Sequence, residues 1–273
     1  MTLAIRIVDA FTATAFKGNQ AGVCILDTFP ADSVMQNIAM EMNLAETAFL
    51  VRKTPLHYSL RWFTPAVEVN LCGHATLAAT HVLLQTGAIA AGDKVCFDTL
   101  SDILVASVAK DGIITLDFPL LAGKAATHPA LAALNTEIVA CEKNRDNYLV
   151  EVKDYATLMN CSPDFKALAA IDLQGTIVTT AKGVPSGYDF ASRYFAPAAG
   201  IDEDPVTGSA HCFLAPYWAA KMNKNSFRAL QASKRTGTLD VAIAGDRVML
   251  SGRAVTTLQG ELQIGLSAKE KAA

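Results

Sequence analysis

Arg61-Trp62-Phe63-Thr64-Pro65, followed by Cys72-Gly73-His74-Ala75, returns further along the chain as Arg193-Tyr194-Phe195-Ala196-Pro197 followed by Thr207-Gly208-Ser209-Ala210. In both places the first motif ends a run patterned as a strand and the second opens a run patterned as a helix. Arg61 and Arg193 are 132 residues apart and Gly73 and Gly208 are 135 apart, so the second connection is three residues longer. Upstream, a helical pattern at 31–42 running into 44–50 is matched by 163–170 running into 173–178. The repeated order reads as duplication of an α+β unit. Two pseudo-symmetric halves with an active-site cleft between them are expected, because junctions between similar halves favour ligand pockets.

Working outward, short β-patterned runs dominate: 5–13, 22–26, 47–51, 57–63, 94–99, 103–108 and 113–118, then 148–152, 175–180, 188–195, 239–244 and 247–251. Gly, Pro, Asp and Asn punctuate them. Four segments read as helices, 31–42, 74–85, 163–170 and 209–221. A Gly/Ala-rich stretch near 118–130 divides the chain into halves at 1–120 and 121–273, and leaves open a return of the last strand to the first half. The Ala/Lys-rich tail from Ser267 to Ala273 is expected to fray.

Of the 273 residues, 51% are hydrophobic and 18% charged, the balance of a packed core, and the formal net charge is −3. No window is dense in Lys and Arg, which argues against nucleic-acid or anionic-membrane partners. The six cysteines are scattered singly, without C-x-x-C or a His pair at ligand spacing, so neither a disulfide framework nor a metal site is expected. The N-terminus lacks the features of a signal or transit peptide, and no apolar run approaches the ~20 residues of a bilayer span. The expectation is a cytoplasmic protein. Neither G-x-G-x-x-G nor G-x-x-x-x-G-K-[ST] occurs, which removes the nucleotide fingerprints.

The paired helix starts suggest chemistry. The first N–H groups of a helix lack intrahelical partners and lie at the positive end of its dipole, and glycine lets an anion approach them. Gly73, His74, Gly208 and Ser209 could thus hold a carboxylate or an oxyanion, against the plainer reading that both glycines only allow tight turns. Glu46 sits between Leu44-Ala45 and Thr47-Ala48-Phe49, and burying a carboxylate raises its pKa towards a range useful for taking and returning a proton. The plainer reading is a glutamate on a solvated strand face. Asp204 follows Asp202 and Glu203 and precedes Pro205, either as a functional carboxylate or as an acidic helix cap. His74 reads as donor or as cap, and Asn19 as a turn residue after Gly18. Cys72 and His74, two apart, are not expected to face each other on a helix, which disfavours a Cys-His hydrolase. The helix start would lower a Cys72 pKa.

Four stretches carry a family resemblance: Asp9-Ala10-Phe11-Thr12 to Gly18-Asn19-Gln20-Ala21-Gly22-Val23; Met42-Asn43-Leu44-Ala45-Glu46-Thr47-Ala48-Phe49; Phe63-Thr64-Pro65 to Cys72-Gly73-His74-Ala75-Thr76; and Gly200-Ile201-Asp202-Glu203-Asp204-Pro205-Val206-Thr207-Gly208-Ser209-Ala210-His211. In this order they resemble the PhzF family of phenazine-biosynthesis-like isomerases along essentially the whole chain. The resemblance implies a diaminopimelate-epimerase-like fold, each half a mixed β-sheet wrapped around a central helix. It implies no cofactor and a homodimer. It places Glu46 at the proton-shuttling acid/base, with catalytic parts for His74 and Asp204. Asn19 would bind substrate, as would the helix starts at Gly73, Gly208 and Ser209.

The resulting expectation is a cofactor-independent isomerase that moves a proton within a small carboxylate-bearing, unsaturated or cyclic substrate through Glu46. A racemase or epimerase using Cys72 and a non-catalytic binding protein on the same fold are the alternatives. Substrate does not transfer with a fold.

Overall fold

The computed structural model describes residues 2–171 and 173–265, so the tail from Ser267 lies outside the described residues. The chain forms two compact units, Met1–Asp117 with Ser251–Ala273, and Phe118–Leu250. It is an α+β protein of mixed sheets and few helices.

In the first unit the elements are β1 (Thr2–Ala10), β2 (Asn19–Leu26), α1 (Asp32–Met42), β3 (Glu46–Thr54), β4 (His57–Phe63), β5 (Glu68–Val69), α2 (Gly73–Gln85), β6 (Lys94–Asp98), β7 (Ile103–Val108) and β8 (Ile114–Pro119). β1 runs antiparallel to β2, β2 parallel to β3, β3 antiparallel to β4, β4 parallel to β6, and β6 antiparallel to β7. The C-terminal strand, Ala254–Gln263, returns to pair antiparallel with β1. α1 buries the stripe Val34, Met35, Ile38 and Ala39 and stops at Asn43, which takes the left-handed backbone that ends helices. α2 is buried on nearly every side and packs against β1, β2, β3, β7 and the C-terminal strand. It tolerates threonine there because Thr76 and Thr80 donate to the carbonyls of Cys72 and Thr76, at 2.6 and 2.9 Å.

The second unit contains β9 (Lys124–Ala125), β10 (Ile138–Lys143), β11 (Asn147–Val152), α3 (Tyr155–Asn160), α4 (Phe165–Leu168), β12 (Gly175–Thr180), β13 (Phe190–Ala196), β14 (Ile201–Asp204), α5 (Gly208–Met222), β15 (Ser226–Gln231), β16 (Gly237–Ala244) and β17 (Arg247–Gly252). Its pairings repeat the same succession: β10 antiparallel to β11, β11 parallel to β12, β12 antiparallel to β13, β13 parallel to β15, and β15 antiparallel to β16. α5 is its buried helix. Phe190 of β13 stacks on His211 and Trp218, and the Trp218 indole donates to Thr179 of β12. Pro216 inside α5 cannot donate to the carbonyl of Cys212. That carbonyl accepts Leu121 N–H instead, at 3.1 Å, so no acceptor is wasted.

Six strands escape the sequence pattern: the short β5, β9 and β14, then β10, β15 and the C-terminal strand. The last is half-exposed along its length and carries Thr, Gln and Glu rather than alternating apolar residues, so only its pairing with β1 declares it. The helix expected at 163–170 contracts to α4, and α3, capped by Asp154, was not anticipated.

Candidate active site

The N-terminal ends of β2, β3 and α2 meet in the first unit. Gly18 has a φ of +65°, and a Cβ there would lie 2.1 Å from the carbonyl oxygen of Ala10, so only glycine makes this turn. Nearby, Phe16 N–H donates to the buried Asp9 carboxylate at 2.6 Å, which ties down the loop. The turn delivers Asn19, 1% exposed, to the start of β2. β3 begins at Glu46, paired with Ala21 of β2 and flanked by β4, with its side chain 14% exposed. It is no solvated strand-face glutamate.

His74, on the first turn of α2, joins these groups. Its Nε2 lies 3.0 Å from Glu46 Oε2, and its Nδ1 lies 3.2 Å from Asn19 Nδ2. With the amide donating to Nδ1, the proton of neutral His74 sits on Nε2, facing the carboxylate. Glu46 Oε2 is buried and accepts no in-line hydrogen bond among the described residues, so its contact with His74 is short but bent.

Cys72 completes the cluster, and here two expectations are corrected. Its Sγ is 3.5 Å from His74 Nδ1, although the residues are only two apart. The helical spacing rule does not apply because Cys72 is the N-cap, with φ −146° and ψ 107°, an extended backbone that turns its side chain towards His74. The helix start does pull the thiol down, through the Ala75 N–H, but that effect is outweighed. Burial and then the charge of Glu46 push the thiol up to about 11, which favours its protonated form at neutral pH. Burial opposes the charged form of His74, but Cys72 and Glu46 outweigh it and hold its pKa well above the usual value. One oxygen of Glu46, the sulfur of Cys72 and a nitrogen of His74 all lie within 4.8 Å of one another, close enough to hold a metal ion.

In the second unit, Asp204 ends β14 and Gly208 and Ser209 open α5. Thr207 donates its hydroxyl to Asp204 Oδ2 at 2.5 Å. Gln231, fully buried, accepts Thr207 N–H at 2.8 Å and donates to the Asp204 carbonyl at 2.9 Å. Sequence reasoning missed Gln231, because nothing local marks a buried amide at the end of a strand. Gly73 and Gly208 are not among the glycines of positive φ, so a left-handed turn does not explain either. His211 donates from Nδ1 to the Thr207 carbonyl at 2.9 Å, the place that Thr76 fills at Cys72.

Strand register identifies counterparts between the units. Phe63 pairs with Thr47 and Phe195 with Thr176, so the position of Glu46 corresponds to Gly175. Trp62 pairs with Val69 and Tyr194 with Asp204, so Asp204 corresponds to Val69. Two arginine clamps fix the alignment. Arg61 grips Glu68 through two bonds of 2.7 Å, and Arg193 grips Glu203 at 2.7 and 2.9 Å. Each arginine also lies over the phenylalanine two residues on, Phe63 or Phe195. The glycine alignment thus sets Cys72 against Thr207 and His74 against Ser209.

The chain matches the family model of the PhzC-PhzF phenazine biosynthesis-like proteins over residues 8–260. It is 49% identical to an uncharacterized isomerase of Halalkalibacterium halodurans, with 96% of this chain and 99% of that protein covered. It is 40% identical to a human phenazine biosynthesis-like domain-containing protein, with 96% and 99% covered. A crystal structure of a PhzF-family protein from Enterococcus faecalis superposes with a TM-score of 0.91 at 40% identity, covering 97% of this chain and all of that one. A hydroxyproline epimerase from Agrobacterium vitis, at 13% identity and a TM-score of 0.62 over 96% of this chain and 92% of that one, shares the fold alone. These relatives support an isomerase- or epimerase-type enzyme, and among the described residues no helix is long and apolar enough to cross a membrane. By motif order, strand pairing and similarity along nearly its full length, the chain belongs to the PhzC-PhzF phenazine biosynthesis-like family.

Proposed function

We propose that the protein is an isomerase that moves a proton within a small carboxylate-bearing, unsaturated or cyclic substrate without a cofactor, with Glu46 as the group that removes and returns it. The observation that carries this reading is the buried contact of Glu46 Oε2 with His74 Nε2 at 3.0 Å, backed by Asn19 on the other ring nitrogen. A carboxylate with one oxygen free of in-line hydrogen bonds can take a proton from a carbon acidified by conjugation. The imidazole N–H beside it can relay or steady that proton. Asn19 and the backbone of Gly73 would orient the substrate's polar groups. In the same reading Asp204 carries a catalytic part, orienting substrate and relaying protons, and Gly208 and Ser209 a substrate-binding one.

The Cys72 epimerase is the weaker reading. Its thiol is protonated up to about 11. Its counterpart, Thr207, offers no second thiol.

Solvent deuterium uptake, followed by mass spectrometry on a pool of cyclic and unsaturated carboxylic acids including dihydro-hydroxyanthranilate, tests the proposal. Wild type and Cys72→Ser should label the substrate, and Glu46→Gln should do so about 10²–10⁴-fold more slowly. Uptake that survives Glu46→Gln, or vanishes with Cys72→Ser, overturns it.

A further inference from the structure

Gln231 ends β15 fully buried and devotes its whole amide to the link between β14 and α5. Its Oε1 accepts Thr207 N–H at 2.8 Å, and its Nε2 donates to the Asp204 carbonyl at 2.9 Å and to Thr207 Oγ at 3.1 Å. We propose that Gln231 is a positioning residue: it fixes the direction of the Thr207 hydroxyl, which in turn holds the Asp204 carboxylate ionised and in one orientation. The part this plays in the reaction rests on the role given to Asp204 above, whereas the hydrogen-bond relay does not.

Backbone polarity decides the direction of the relay. A backbone N–H only donates and a carbonyl only accepts, so these two contacts leave no choice about which end of the Gln231 amide is oxygen. Thr207 Oγ therefore receives a hydrogen from Nε2, and its own single hydrogen points to Asp204 Oδ2, 2.5 Å away. An O–H that donates to a carboxylate favours the charged form. The helix gives up something for this. An N-cap threonine ordinarily turns its oxygen to an N–H of the first turn, yet Thr207 makes no such bond and α5 starts without a side-chain cap. Ser233, two residues beyond Gln231, donates to the Pro205 carbonyl at 2.8 Å and steadies the same segment. The first unit supplies the comparison. At the 132-residue offset Tyr58 corresponds to Phe190; β4 pairs Tyr58 with Phe97 and β13 pairs Phe190 with Ala229, so Gln231 corresponds to Thr99. The Thr99 side chain serves its own turn, bonding Ser101 and the Asp102 carbonyl. Since Val69 stands at the position of Asp204, the first unit has neither the carboxylate nor the amide at these places.

Carboxyl ¹³C shifts, titrated with acid, test the relay, with Asp204→Asn assigning the signal. Thr207→Val, which loses the hydroxyl, should raise the Asp204 pKa by about 1–2 units, the worth of one hydrogen bond to a charged group. Thr207→Ser, which keeps the hydroxyl, should leave it in place. Gln231→Met should raise it by up to the same amount, because the hydroxyl can then turn to the Asp204 carbonyl that has lost its donor. Added to Thr207→Val, Gln231→Met should raise it no further. The titratable groups on the elements that meet Asp204 are common to these variants: Asp202 and Glu203 on its own strand, Arg193 and Tyr194 on β13, His211 on α5, and Lys234 and Arg235 between β15 and β16. Differences among the variants thus report Thr207 and Gln231. In the wild type the side-chain ¹⁵N–H₂ signal of Gln231 should titrate with Asp204, a measurement that needs no variant. A Gln231 signal blind to that titration, an Asp204 pKa unmoved by Thr207→Val, or a Gln231→Met rise that persists undiminished beside Thr207→Val overturns the relay. In the deuterium assay, uptake by Thr207→Val and Gln231→Met should fall most on the acid side, in step with the raised pKa. Uptake indifferent to a raised Asp204 pKa refutes the part in the reaction, while absent uptake in wild type counts against the proposed function and leaves the relay standing.

Discussion

Glu46→Gln offers a test that needs no substrate. It deletes a negative charge 3.0 Å from His74 Nε2 while keeping the side chain's shape. At an effective dielectric of about 20, a unit charge pair at that distance is worth about 5 kcal/mol, an upper bound. Charges at such range move a neighbour by about 1–3 pK units, or about 1.4–4 kcal/mol. Burial pulls the His74 pKa down, and Cys72 and Glu46 pull it up by more. Because the Cys72 thiol stays protonated up to about 11, the charge acting near neutrality is that of Glu46. The His74 pKa, read from imidazole carbon and nitrogen shifts of the metal-free protein, should therefore fall by about 1–3 units in Glu46→Gln. A histidine with a raised folded pKa stabilises the fold fully below its unfolded pKa of about 6.5, and the effect is lost as pH rises through the folded value. The variant should accordingly lose most stability against wild type at about pH 6, with the gap narrowing in alkali. A His74 pKa unmoved by Glu46→Gln would refute the reasoning.

Burial pushes His211 down to about 4, so its stabilising effect is complete above about pH 6.5 and fades as pH falls towards 4, by about 3 kcal/mol in all. Urea unfolding of wild type and His211→Gln at pH 7 and 4.5 should show that pH-dependent difference, and a constant gap would contradict it. In Gly175→Ala the new Cβ would meet the Tyr194 ring at 2.5 Å and the Phe195 carbonyl at 2.9 Å, and should cost about 1–3 kcal/mol in chemical denaturation. Arg193→Lys loses the two-pronged grip on Glu203 and the 2.7 Å bond to the Cys161 carbonyl. A drop of about 1.5–3 kcal/mol is expected, and a thermal midpoint equal to wild type would argue against the clamp.

Local signals made the helices at Gly73 and Gly208 and the Arg-x-Phe strand ends legible, because each rests on a turn or a short period. Glu46, His74 and Asn19 were readable as residue types, yet their meeting depends on β2 and β3 running parallel, which no local pattern states. The Cys72 contact was misread for a physical reason: a helical spacing rule was applied to a residue one step outside the helix. Gln231 and the C-terminal strand stayed hidden because burial and partner, rather than composition, define them.

The same registers explain how a repeated unit carries unrepeated chemistry. Phe63 and Phe195 keep the shorter offset, whereas Glu68 and Glu203 already follow the longer one, so the three extra residues lie between them. There the second unit makes a short 3-10 turn at Pro197–Ala199. Because this insertion precedes the clamp glutamate, each arginine still fixes the connection that leads to its glycine-led helix, and the residues around those helices were free to diverge. Glu46 corresponds to Gly175 in the repeat, where Tyr194 would crowd any side chain, and Asp204 corresponds to Val69. Cys72 corresponds to Thr207 and His74 to Ser209. Of Glu46, Cys72 and Asp204, none has an acid or thiol at the matching position of the other unit, and the matched glutamates, Glu68 and Glu203, are held by arginines, so a mechanism built on two matched bases has no such pair to use. A single carboxylate that both takes and returns the proton is the chemistry this asymmetry favours.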